Sequence, residues 1–157
     1  MTPTEIIAVA SVASAFLSAI GLGLVGYQLR AGRKVAIADL IVRLEADWTD
    51  HQSLTYQNLL PNGSWSTTGN GPTGNTDQVA IESYLLFFET LAILIERGLI
   101  PLRLVDRIFA YRFFLAMDNS HVMAIYRPKK EYWQAILKLY PMWKKLREER
   151  EARALQP

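Results

Sequence analysis

An all-α fold is predicted, with one N-terminal transmembrane helix followed by a small cytoplasmic helical bundle of about four helices. Three observations predict it. An uncharged apolar run extends from Ile6 to Leu29, the segments after residue 35 repeat their apolar residues at helical spacing, and Gly98 and Pro101 punctuate two such segments as a hairpin. With 157 residues, 50% hydrophobic content and 20% charge, the chain supports one core-bearing domain. Its net charge of +2 is too small to argue for nucleic acid, and with no cysteine it excludes disulfides, thiolate metal sites and cysteine nucleophiles.

The first segment reads IIAVASVASAFLSAIGLGLVGYQL. At about 1.5 Å per residue it reaches roughly 36 Å, enough to cross about 30 Å of hydrocarbon. A cleaved signal peptide competes, since Ala13-Ser14-Ala15 imitates a processing site, but MTPTE lacks the basic n-region such a peptide needs. The positive residues Arg30, Arg33 and Lys34 follow the run, so the positive-inside rule leaves the N-terminus outside and residues 35–157 in the cytoplasm. Ser11, Ala15, Ala19 and Gly23 recur every four residues, a ridge of small side chains on which another membrane helix can pack. The same residues face lipid without harm in a helix that has no partner.

Gly21, Gly23 and Gly26 spell G-x-G-x-x-G, the pattern of a dinucleotide-binding turn. That turn needs a strand before it and an acidic residue about twenty positions on at the end of a second strand. Glu45 and Asp47 stand at the right distance but inside a helical pattern, and Gly69, Gly71 and Gly74 match the spelling again in a glycine-rich loop. The pattern therefore carries no nucleotide site.

Residues 35–60 keep a helical rhythm in Ile37, Leu40, Ile41, Leu44 and Trp48, with a bend expected near Gly32. Residues 61–76 are uncharged, rich in Gly, Ser, Thr and Asn, and read as a flexible loop. Thr76 is placed to cap a helix over 77–97, Gly98 to end it, and Pro101 to open the next helix, LRLVDRIFAYRFFLAM. Glu82, Glu89, Asp106, Arg107 and Arg112 interrupt this pair, which marks it as the core of a soluble bundle rather than two further spans. The last helix begins near Pro128, with Trp133, Ile136, Leu137, Tyr140, Trp143 and Leu146 as its apolar stripe and Pro141 expected to kink or restart it.

Little of this carries chemistry. Asp47, Asp50 and His51 share a helix face as metal ligands could, and as solvated residues commonly do. Ser120 and His121 are adjacent but point about 100° apart. Glu89, in LLFFETLAILI, is the most suggestive carboxylate, with Arg112 as its expected counter-ion in a buried ion pair. Nine Lys and Arg against four Glu lie between Arg127 and Arg153, so Lys138, Lys144, Lys145 and Arg147 are candidates for contact with anionic lipid, or else a solvated face. No cofactor and no sequence-specific nucleic acid is expected.

LLFFETLAILIERGLI, the Tyr132-Trp133 pair, Pro141 and Arg147 give a pattern that resembles a family of small bacterial membrane-anchored proteins catalogued as a domain of unknown function. The resemblance implies one N-terminal span and a helical domain ending in a basic helix, over nearly the whole chain, and no activity. Pro101 follows Gly-Leu-Ile here where an acidic residue is more usual. The combined expectation is a non-catalytic accessory subunit whose partners are lipid and another membrane protein or a second copy, met through the span.

Overall fold

The computed structural model describes the backbone of residues 3–154 and the side chains of residues 24–154. Among these residues there are helices and no strand: α1 (Pro3–Leu59), α2 (Gly74–Glu96), α3 (Leu102–Met117), α4 (Ser120–Tyr126), a 3-10 segment (Arg127–Tyr132) and α5 (Gln134–Ala154). The chain divides into two compact units, Met1–Val42 and Arg43–Pro157, a boundary eight residues later than the one expected at residue 34. Trp48 is the first fully buried side chain described in α1. The ridge of Ser11, Ala15, Ala19 and Gly23 lies outside the described side chains.

In the first unit α1 is helical through Gly26 and Gly32, so no turn of the dinucleotide-binding kind and no helix break occurs there. Leu24, Val25, Tyr27 and Leu29 are exposed, as are Arg30, Arg33 and Lys34.

In the second unit Trp48 is the hub. Its ring meets Tyr84, Phe87, Phe88 and Phe109 edge-on at centroid distances of 4.8 to 6.1 Å. Quadrupoles favour such edge contacts, each adding roughly 0.5–1.5 kcal/mol beyond burial. Farther along, Phe113 stacks on Trp143 of α5 at 4.7 Å, and α2 packs along α5, with Leu85 and Phe88 of the one and Ile136 and Leu139 of the other all buried.

Among the described residues one helix, α2, is long and apolar enough to cross a membrane by length and composition. The reason is visible in its two faces. Ile81, Tyr84, Leu85, Phe88 and Leu91 fill the core, while Val79, Leu86 and Ile93 lie exposed at seven-residue spacing on the other side.

The hairpin is built nearly as its punctuation predicts. Gly98 adopts φ +68°, donates to the Ile95 carbonyl, and lets Leu99 donate back to the Leu94 carbonyl, a Schellman ending. Pro101 is the N-cap of α3 rather than its first helical residue. Thr76 does not cap α2, which starts earlier: Thr73 is the N-cap, and Asp77 Oδ2 reaches back to accept from the Thr73 amide at 2.8 Å.

Two expectations about the later chain are corrected. Residues 61–76 are tied down rather than loose, because Trp65 and Ser66 are buried, the Trp65 amide donates to the Asn58 carbonyl, and Asn119 Nδ2 donates to the Trp65 carbonyl. The Asn119 side-chain oxygen meanwhile accepts from the amides of His121 and Val122, capping α4. One buried side chain thus joins the loop to a helix start. Second, α5 continues through Pro141 without restarting, and its buried positions are Ala135, Ile136, Leu139 and Trp143, leaving Leu137 exposed. Pro141 lies on the exposed side, where water can satisfy the carbonyl left without a donor.

Gly71 supplies a direct test of the loop. It is buried at φ +73°, and a Cβ there would stand 2.6 Å from Nδ1 of His121. Gly71→Ala is therefore expected to cost about 1–3 kcal/mol, from left-handed backbone strain and displacement of the imidazole. Gly26→Ala, with open space around its Cβ, stabilises or leaves the helix unchanged, and a denaturant titration of both variants checks the contrast.

Candidate functional site

Glu89 and Arg112 are each brought into specific contacts, with partners other than those expected. Glu89 and Arg112 do not pair. Arg112 forks onto Glu45 of α1, Nη1 and Nη2 each 3.0 Å from Oε1, while its guanidinium lies 4.9 Å from the Trp48 ring centroid. Its carbonyl accepts from the Tyr84 hydroxyl at 2.9 Å. The planar fork suits a carboxylate and a flat ring together, so α1, α2 and α3 are joined at one residue.

Glu89 instead faces the start of α5. Its two oxygens accept from the amides of Ala135 and Ile136, both at 2.9 Å, as a carboxylate supplied from another helix to the positive end of α5. Glu82 and Glu96 stand seven residues to either side on α2, and they pair with Lys129 and Lys138. Three glutamates in one row thereby fasten the chain from the 3-10 segment into α5. Lys129, more than Gln78, holds the Glu82 carboxyl below its usual range.

Asp106 makes the matching tie from α3. Almost fully buried, it accepts from Trp143 Nε1 and from Arg150, both at 2.8 Å. Sequence reasoning missed Asp106 and Glu45 as partners, since pairing across helices leaves no trace in local spacing. The seven-residue interval of Glu82, Glu89 and Glu96 was the one readable signal.

Two open clefts of about 400 Å³ each lie on either side of Asp118. One is bounded by the loop at Ser66 to Thr68, by Tyr111 and Phe114 of α3, and by Arg147. The other is bounded by Met117, Met123, Tyr126 and Leu137. Tyr140 donates to Asp118 at 2.9 Å, and Arg147 stacks over Phe114 at 4.2 Å with Asp118 3.9 Å away. Burial, then the Asp118 hydrogen bond, raise the Tyr140 hydroxyl above the ordinary phenol value. These clefts hold hydroxyls, Arg147 with the Asp118 carboxylate, and Arg127, without a base set against a nucleophile.

The remaining candidates stay apart. His51 contacts Asp47 on the exposed side of α1, and no group of three potential ligands forms a metal site among the described residues. His121 packs beneath Gly71. Lys144 and Lys145 are exposed on α5, Lys138 is paired with Glu96, and Arg147 is turned to the cleft side.

Burial pushes the Tyr126 hydroxyl up to about 12, helped by the charge of Glu89, and burial raises Tyr84 well above 10. Both phenols stay protonated in the fold at pH values where an unfolded chain ionises them. Their contribution is thus complete below pH 10 and lost as pH rises from 10 through about 12. A pH titration followed by near-ultraviolet circular dichroism should show cooperative unfolding in that window, shifted upward in Tyr126→Phe.

No family model, curated protein or solved structure matches this chain.

Proposed function

We propose that this chain is a single-pass membrane protein, anchored by residues 6–29, that serves as a non-catalytic accessory or interaction subunit of a membrane-associated complex. The N-terminus lies outside and a cytoplasmic bundle of about four helices follows. The observation that carries the non-catalytic part is Glu89: both of its oxygens are occupied by α5 amides, so the best carboxylate candidate serves the fold. Arg112 is likewise engaged by Glu45.

Anchoring is supported by the uncharged run and by its exposed apolar end, Leu24 to Leu29, immediately before Arg30, Arg33 and Lys34. The ridge of Ser11, Ala15, Ala19 and Gly23 is the surface on which a partner helix or a second copy docks. Purification from membranes in mild detergent, with cross-linking beforehand, is expected to recover the chain in a defined complex or oligomer. Recovery of free monomer alone contradicts the reading.

A further inference from the structure

A third cleft, of about 320 Å³, lies between α1 and α2, wholly inside the Arg43–Pro157 unit. Leu44, Leu86 and Phe87 give it apolar walls, and Asp47, Gln52, Ser83 and Thr90 bring polar groups to its lining. That volume is at the lower end for small-molecule sites. Gln52 is the unusual member. Only 4% exposed, it donates through Nε2 to Ser83 Oγ at 3.0 Å, while Oε1 is buried with no donor among the described residues. A buried oxygen without a donor costs the fold stability, and an apolar side chain of similar size avoids that cost.

The rest of the lining does not supply the donor. His51, which also lines the cleft, holds Nδ1 3.1 Å from the Asp47 carbonyl oxygen and 3.2 Å from Asp47 Oδ1, so that proton is directed at Asp47. Among the described residues no lysine or arginine lines the cleft, and the Asp47 carboxylate gives it acceptors in excess. We infer that the cleft binds a small primary amine, whose ammonium donates to Gln52 Oε1 and is attracted by Asp47 while its hydrocarbon lies against Leu44, Leu86 and Phe87. An ammonium carries three donors and no acceptor, whereas an anion entering here meets a carboxylate and a carbonyl oxygen. Oε1 is closed to solvent, but the Gln52 amide is held by the Ser83 bond, and its terminal torsion turns easily. The site needs no membrane and stands apart from the anchoring reading.

Full-length protein, labelled with nitrogen-15 in detergent micelles, would be titrated with 3-methylbutylammonium, and in parallel with 3-methylbutanol and 4-methylpentanoate, which share its hydrocarbon end. The amine is expected to give saturable nuclear magnetic resonance shifts of the Gln52 side-chain amide and the Thr90 backbone amide, with a dissociation constant on the order of millimolar. The alcohol should bind more weakly and the carboxylate not at all, and Lys144, away from the cleft, should not move. Asp47→Asn should weaken the amine roughly two- to fivefold. Gln52→Leu should abolish the Thr90 shift and raise the melting temperature of the ligand-free protein by about 2–4 °C, because the buried oxygen is gone.

Equal shifts from all three probes assign the cleft to hydrocarbon alone and overturn the amine site. Amine binding that survives Gln52→Leu, or no saturable shift up to about 100 mM amine, also overturns it. So does a Gln52→Leu variant that melts below the parent, since Oε1 is then satisfied by bound water.

Discussion

Trp48→Ala is expected to lower the melting temperature of the helical unit by roughly 10 to 20 °C, the largest effect of any single substitution outside the anchor. The residue is 2% exposed and touches four buried aromatic rings of α2 and α3, besides Tyr56 on its own helix. Truncation removes that apolar burial and leaves a cavity among rigid rings that cannot close over it, at about 3–5 kcal/mol. It also strips Arg112 of the ring beneath its guanidinium. The whole stability of a domain this size is on the order of 5–15 kcal/mol, so a large share disappears. Trp48→Phe, which keeps a ring, should lose much less. Thermal unfolding followed by circular dichroism checks both, and equal melting of Trp48→Ala and the parent would remove Trp48 from the centre of the core.

Glu89→Ala is expected to cost about 2–4 kcal/mol and to loosen the start of α5 selectively. Two charge-assisted hydrogen bonds are lost together, and the amides of Ala135 and Ile136 are left facing an apolar side chain. Glu89→Gln keeps one good acceptor but turns an amide group toward the second N–H, so its effect is intermediate. Hydrogen exchange at Ala135 and Ile136 should accelerate far more than at α3 amides such as Phe113. A catalytic Glu89 behaves differently: its substitution would abolish an activity while exchange at α5 stayed unchanged.

The parts of the fold written in local spacing were legible. Gly98 ends α2 because a left-handed residue is needed there and glycine alone supplies it without strain, and the apolar period of Tyr84, Leu85, Phe88 and Leu91 marks the buried face. The order in residues 61–76 was hidden by composition. One buried tryptophan and one capping asparagine, 54 residues apart, outweigh a run of glycine, serine and threonine. Partner choice was the least legible: sequence places Arg112 opposite Glu89 across the hairpin, yet its guanidinium meets Glu45 and the Trp48 ring, where fork and ring are satisfied at once. The buried stripe of α5 was misplaced for a related reason. Leu137 and Leu139 are equally apolar, and only the position of α2 decides that Leu139 turns inward.

The proposed anchor requires residues 6–29 to cross a bilayer, with residues 35–157 on the basic-flanked side. The most direct measurement is alkaline carbonate extraction of cell membranes containing the chain, combined with an impermeant thiol reagent applied to Thr2→Cys and Leu104→Cys variants. The chain is expected to remain in the pellet, Thr2→Cys to react in intact cells, and Leu104→Cys, on an exposed position of α3, to react only after permeabilisation. Release of the chain into the carbonate supernatant, or labelling of Leu104→Cys from outside, would contradict it.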